Sequence, residues 1–118
     1  RLLDDTYADR REPLIAFAGQ MTGVEGYVES CASGYLAAVS MAARLNGAPV
    51  PDFTNRTAIG ALGKYISDPS VTAFQPMNVN FGIIAPLEQR VKGKSNKNLA
   101  IAERALAQLE AMRNEGLA

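Results

Sequence analysis

The chain has 118 residues, 47% of them hydrophobic, which suits one globular domain and excludes a disordered or collagen-like chain. Its single cysteine, Cys31, and its lack of histidine exclude an internal disulfide, a Cys-rich zinc site and the commonest general base. Twelve Lys and Arg balance twelve Asp and Glu, so a nucleic-acid role would have to rest on local clustering. No apolar run is long enough to span a membrane and no signal-peptide pattern opens the chain, so a soluble, cytoplasmic protein without a metal is expected.

After a polar lead-in with Asp4, Asp5, Arg10 and Arg11, Pro13 introduces LIAFA, residues 14–18. This continuous apolar run predicts a short strand buried on both faces. From Thr22 onward, Val24, Val28, Cys31, Tyr35, Ala38, Ala42 and Leu45 alternate spacings of four and three, marking one face of a long helix that ends near Asn46-Gly47. Thr22 and Glu25 have capping-box spacing, which predicts a helix start at Thr22. That role accounts for Glu25, so Glu25 and Glu29 do not read as a catalytic carboxylate pair. Residues 48–56, with Pro49 and Pro51, read as a linker. A short helix after Thr57 turns Ile59, Leu62 and Ile66 inward and stops before Pro69. The stretch FQPMNVNFGIIAPLEQR, residues 74–90, reads as extended and loop-like. From Ser95, Leu99, Ala102, Leu106, Leu109 and Met112 outline a last amphipathic helix closed by Gly116.

The expected fold is therefore α-rich, with three helices and one short strand. A lone buried strand leaves its backbone groups unpaired, and the chain opens on Arg1. The expectation is a C-terminal piece of a larger protein, its other strands lying elsewhere or in a partner chain, with self-association through the unpaired strand as a consequence.

Gly19, Gly23 and Gly26 punctuate the turn in AFAGQMTGVEGYVES, residues 16–30. A strand, a glycine turn and a helix N-terminus together can hold an anion or an electron-rich heteroatom, because the first-turn N–H groups are unpaired and the helix dipole is positive there. Gly26, Ser30, Gly34, Ala38 and Ala42 recur every four positions and flatten one face of the helix. The same glycines and small residues would equally permit tight packing alone, and the pattern does not decide between the two.

The stretch AFAGQMTGVEGYVESCASGYLAAVSMAARLNG resembles the second flavin-binding segment of the folate- and FAD-dependent tRNA uracil-5 methyltransferases, relatives of the glucose-inhibited division protein A family. TAIGALGKYISDPSVTAFQPMNVNFGIIAPLE resembles the C-terminal block of the same enzymes. The resemblance implies a parent with an α/β, Rossmann-like FAD-binding fold that makes 5-methyluridine in the tRNA T-loop. Its carbon would come from 5,10-methylenetetrahydrofolate and its reducing power from NAD(P)H through FAD. Residues 1–47 would be the last strand and helix of the FAD domain, and residues 48–118 a helical extension. The GxGxxG unit that holds the ADP half of FAD has no counterpart here, nor do the family's cysteine nucleophiles, so the isolated segment is expected to be inactive and to need the rest of the flavoprotein as its partner.

By the same resemblance, Gly19, Gln20, Thr22, Gly23, Val24, Glu25 and Tyr27 would form the cofactor-binding turn, its helix N-terminus facing the pyrimidine edge of the isoalloxazine, with glycines where backbone must touch a flat ring. Tyr27 would either stack beside the flavin or folate or fill the core. Gln75, Asn78 and Asn80 would bind pterin, flavin edge or uridine, or else pin a loop. Cys31, on the apolar stripe, reads as buried and inert. Arg90, Lys92, Lys94 and Lys97, opposed nearby only by Glu88, would contact the tRNA backbone. A non-catalytic RNA- or protein-interaction module on the same helical scaffold is the alternative.

Overall fold

Helices α1 (Tyr27–Leu45), α2 (Ala58–Ser67) and α3 (Lys94–Asn114) carry the fold, in a computed structural model that describes residues 1–116. Local signals shape α2. The Thr57 hydroxyl accepts from the Gly60 N–H at 3.0 Å and donates to the Phe53 carbonyl at 2.9 Å, a cap worth about 1 kcal/mol. Asp68 ends the helix in extended backbone ahead of Pro69. Leu62 and Ile66 point inward as expected, joining Tyr7, Val24, Leu36, Ala37, Phe53 and Met112 in one core cluster, with Ile59 packed at its edge. Gly60 and Gly63 let α2 lie directly on backbone. A Cβ at Gly60 would collide with the Thr54 carbonyl, and one at Gly63 would come within 2.5 Å of the Asp5 carbonyl oxygen.

The expected strand at residues 14–18 does not form. No strand occurs among the described residues, only three isolated bridges, Leu3 with Asp9, Ala8 with Ala16 and Val24 with Met77. The apolar run pairs briefly, Asp9 N–H donating to the Ile15 carbonyl at 2.8 Å and Phe17 N–H to the Tyr7 carbonyl at 3.0 Å. No flat ladder extends it, because the facing segment is bent by the turn at Asp4–Ala8 and Tyr7 itself has φ +66°. Leu14, Ile15 and Phe17 stay exposed. The run is thus a partly paired, largely exposed segment, with no sheet among the described residues.

The start of α1 also departs from expectation. Thr22 caps nothing: residues Gln20–Thr22 form a single 3-10 turn, and the Thr22 hydroxyl donates back to the Gly19 carbonyl at 2.7 Å. Glu25 is no capping partner either, since its N–H donates to the Met77 carbonyl at 3.0 Å. The helix begins at Tyr27 with Gly26 at the N-cap, φ +97°, and no side chain bonds to its first amides. Its end at Leu45, with Gly47 beyond at φ +66°, matches the reading.

The apolar stripe of α1 faces outward. Val28 is 79% exposed, Leu45 68% and Tyr35 49%, and Cys31, Ala38 and Ala42 are exposed beside them. Burial falls instead on Ser33, Leu36, Ala37 and Ser40, of which Leu36 and Ala37 join the core cluster. The periodicity was correct and the side was not: inside this chain the narrow face of α1 makes the core, and the wider apolar face is uncovered. The radius of gyration, 14.6 Å, exceeds the about 13.5 Å of a self-contained domain of this length.

In α3, Ile101 and Met112 are buried while Leu99 and Leu106 are exposed, so the inward face is rotated from the predicted one, with Leu109 and Met112 shared by both. In this orientation Arg104 donates to the Ala85 and Pro86 carbonyls. Pro51 and Phe53 of the expected linker are buried, so this segment is packed against the helices.

Candidate functional site

The glycine turn and the 74–82 loop, far apart in sequence, meet at the start of α1. Met77 N–H donates to the Gly23 carbonyl at 3.1 Å while Glu25 N–H donates to the Met77 carbonyl, a parallel bridge that buries Val24 completely. Asn78 Nδ2 reaches Glu29 Oε1 at 3.4 Å, tying the loop to the first turn of the helix. The loop itself hangs on α2: the Tyr65 hydroxyl lies 3.2 Å from the Gln75 carbonyl and 3.3 Å from its N–H.

Each glycine has its own reason. At Gly23, φ +98°, an added Cβ would strike the Phe74 ring. That ring stacks on Tyr65 at 5.5 Å between centroids and carries the Arg1 guanidinium 4.7 Å over its centre. The backbone does touch a flat ring here, and the ring is the protein's own. At Gly26 a Cβ would run into the Glu29 carboxylate and the Asn78 amide. Gly19 takes φ +80°, ψ −160°, a region that L side chains avoid, although an added Cβ would meet only the Ser30 Cβ, at an ordinary 4.0 Å.

Of the expected turn residues, Gln20, Glu25 and Tyr27 are exposed, Tyr27 at 98%; it is not a core aromatic of this chain. Val24 is enclosed. Asn80 caps the 3-10 turn Phe81–Ile83, its side-chain oxygen accepting from Gly82 N–H at 2.8 Å, so it pins the loop. Gln75 engages through its backbone, leaving its side chain exposed. Exposed N–H donors of an uncapped helix start, a carboxylate–amide pair and a free phenol therefore share one rim.

Cys31 is exposed on α1, contrary to the buried role expected, because the stripe that carries it faces away from the core. Arg90, Lys92, Lys94 and Lys97 are exposed around the start of α3. Glu88 pairs instead with Arg56 at 3.0 Å, which leaves the cluster's charge unopposed, and the α3 N-terminus adds positive potential. Ser33, Tyr65, Phe74 and Met77 were missed. Phe74 and Met77 could have been found as apolar residues inside an otherwise polar loop; Ser33, one serine among several in α1, carries no such signal.

Among the described residues no helix is long and apolar enough to cross a membrane, and no group of three or more His, Cys, Asp or Glu stands ready to hold a metal ion.

Residues 1–49 match the family described as Glucose inhibited division protein A. Over 114 residues the chain is 54% identical to the methylenetetrahydrofolate–tRNA-(uracil-5-)-methyltransferase TrmFO of Streptococcus agalactiae serotype III (strain NEM316), covering 96% of this chain and 26% of that protein. The TrmFO of Lactiplantibacillus plantarum (strain ATCC BAA-793 / NCIMB 8826 / WCFS1) is 47% identical over 117 residues, 99% of this chain and 26% of that protein. That of Desulfitobacterium hafniense (strain Y51) is 46% identical over 110 residues, 93% of this chain and 25% of that protein. The chain spans about a quarter of the length of the curated relatives it matches. By sequence the chain is similar to about a quarter of the length of the TrmFO methyltransferases, and its first 49 residues match the glucose-inhibited division protein A family.

Proposed function

We propose that this chain is the C-terminal part of a cytoplasmic folate- and FAD-dependent tRNA (uracil-5-)-methyltransferase, residues 1–47 completing its flavin domain and residues 48–118 forming a helical extension. The observation that carries the reading is the bridge between Val24 and Met77, which joins the two stretches that the resemblance singled out and sets them around one uncapped helix start.

The residues fit a flavin. The open amides of the first turn of α1 form a positive, hydrogen-donating edge, suited to the electron-rich pyrimidine carbonyls of an isoalloxazine. Gln20, Glu25 and Tyr27 stand free at the rim, while Gly19, Thr22, Gly23 and Val24 shape the turn from behind. When bound, the flavin supplies the electrons that reduce the one-carbon unit of methylenetetrahydrofolate to a methyl group, with NAD(P)H as their source. Asn78 holds Glu29 beside the helix start, and Gln75 offers a free amide to pterin or uridine. Arg90, Lys92, Lys94 and Lys97 supply phosphate contacts for tRNA. No general acid, base or nucleophile is assigned to this chain.

The exposed stripe on α1 supports the partial nature of the unit: a contiguous apolar face of this kind belongs in an interface, and the remainder of the flavoprotein is the cover proposed for it. The test is a chimera in which this chain replaces the matching quarter of the Streptococcus agalactiae relative. It should purify with the visible absorption of a flavin and form 5-methyluridine in tRNA. A folded chimera that binds tRNA but holds no flavin and methylates nothing would overturn the reading and favour an interaction module.

A further inference from the structure

We infer that Ser33 is the positioning residue of the glycine turn: its hydroxyl fixes the Gly19 peptide, and thereby the outward edge formed by Gln20, Met21 and the approach to α1. The inference rests on the reading of that edge as flavin-facing. Ser33 is fully buried in the second turn of α1. Its Oγ donates to the Ser30 carbonyl at 2.7 Å and accepts from the Gly19 N–H at 2.8 Å. A hydroxyl has one proton to give; with that proton committed to Ser30, it can only accept from Gly19, so the direction of the contact is fixed.

The other side of Gly19 is held as firmly. Its carbonyl accepts from Thr22 N–H at 3.0 Å and from the Thr22 hydroxyl at 2.7 Å. Gly19 lies at φ +80°, ψ −160°, a backbone state that persists only where surroundings over-determine it, and these three bonds do so. Gly19 therefore has no N–H left for a ligand. Donors for the flavin edge must come from residues after the turn, and Ser33 decides where they stand. Burial alone does not confer such a role: Ser40, fully buried on the same helix, has an Oγ with no partner, and it serves as the internal control.

The experiment compares the chimera described above with its Ser33→Ala and Ser40→Ala variants by amide hydrogen exchange, then titrates the flavin-stripped form of each with FAD while following backbone amide resonances. Loss of one hydrogen bond should speed Gly19 exchange by roughly three- to tenfold in Ser33→Ala, and the FAD-induced shifts of residues 20–27 should shrink while those of α2 and α3 stay as they are. Ser40→Ala should change neither. An unaltered Gly19 exchange rate in folded Ser33→Ala overturns the inference, as does a faster rate with undiminished FAD shifts. If FAD moves no turn amide of the unsubstituted chimera, the flavin reading fails, and the Gly19 exchange rate alone then decides whether Ser33 positions the turn.

Discussion

Helices α1 and α2 both carry clean apolar periodicities, yet α2 turns its stripe into the core and α1 turns its stripe away. The difference lies in what each can reach. α2 is flanked by segments of this chain that meet it at van der Waals distance, Phe53 and Thr54 at Gly60 and Asp5 at Gly63. α1 buries only Ser33, Leu36, Ala37 and Ser40 within this chain. A periodic stripe reports that some apolar surface is to be covered; it does not say that the same chain covers it.

The sharpest way to break this comparison is at Gly60. Gly60→Ala puts a methyl group into the Thr54 carbonyl, which is backbone and cannot swing aside, and should destabilise the chain by about 3 kcal/mol or more, read from urea unfolding midpoints. A loss under about 1 kcal/mol would show that α2 is not seated on that backbone.

Next comes Gly23→Ala, which adds a positive-φ penalty to a clash with the Phe74 ring and should cost about 2 kcal/mol. Phe74→Leu should recover part of that cost in the double variant, and strict additivity of the two changes would mean that ring and glycine do not sense each other.

A smaller effect is expected at alkaline pH. Burial raises the Tyr7 phenol far above its ordinary value of 10.0. At Lys64 burial alone would lower the ammonium's pKa, but the ion pairs with Asp5 at 3.0 Å and Asp52 at 3.5 Å outweigh it and leave it raised. Both groups hold their protons more tightly when folded, so their contributions are complete below about pH 10 and fade as pH climbs through the folded values. Stability should be flat from pH 7 to 9 and fall above 10. Tyr7→Phe should remove most of that slope and Lys64→Met less of it; a slope untouched by either change would place the sensitivity elsewhere.

The smallest change should follow from Val28→Gln or Leu45→Gln, which lie on the open stripe and should move the stability of the chain by no more than about 0.5 kcal/mol. In the chimera the same substitutions should be clearly destabilising. Equal, small effects in both settings would show that nothing covers the stripe.

These contrasts also mark where the sequence was legible. α2 could be read because its determinants are contiguous: Thr57 bonds three residues ahead and Pro69 stops the helix. The end of α1 and the closing of α3 at Gly116, φ +74°, were equally local. The start of α1 was misread because Thr22 and Glu25 have the right spacing but other partners, Gly19 and Met77, and the second of these is not local. The glycine turn was legible as a close approach, while the identity of what approaches, Phe74, depended on a loop that carries no periodic signal. The run at residues 14–18 looked like a buried strand because apolar content reports burial without supplying a neighbour to pair with.

The non-local character of the turn has a consequence for how the molecule is made. Glu29 and Asn78 are 49 residues apart, and the Val24–Met77 bridge beside them closes a loop that encloses all of α2. Such closures come late, since their entropy must be met before the contact returns anything. During synthesis from the N-terminus, α1 emerges with its leading end untethered, and the rim takes shape only after α2 has folded and delivered Phe74 and Met77 to it. The order of events is written into the topology: scaffold first, rim last, so that a chain interrupted between α2 and residue 74 would contain α1 and α2 and lack the rim.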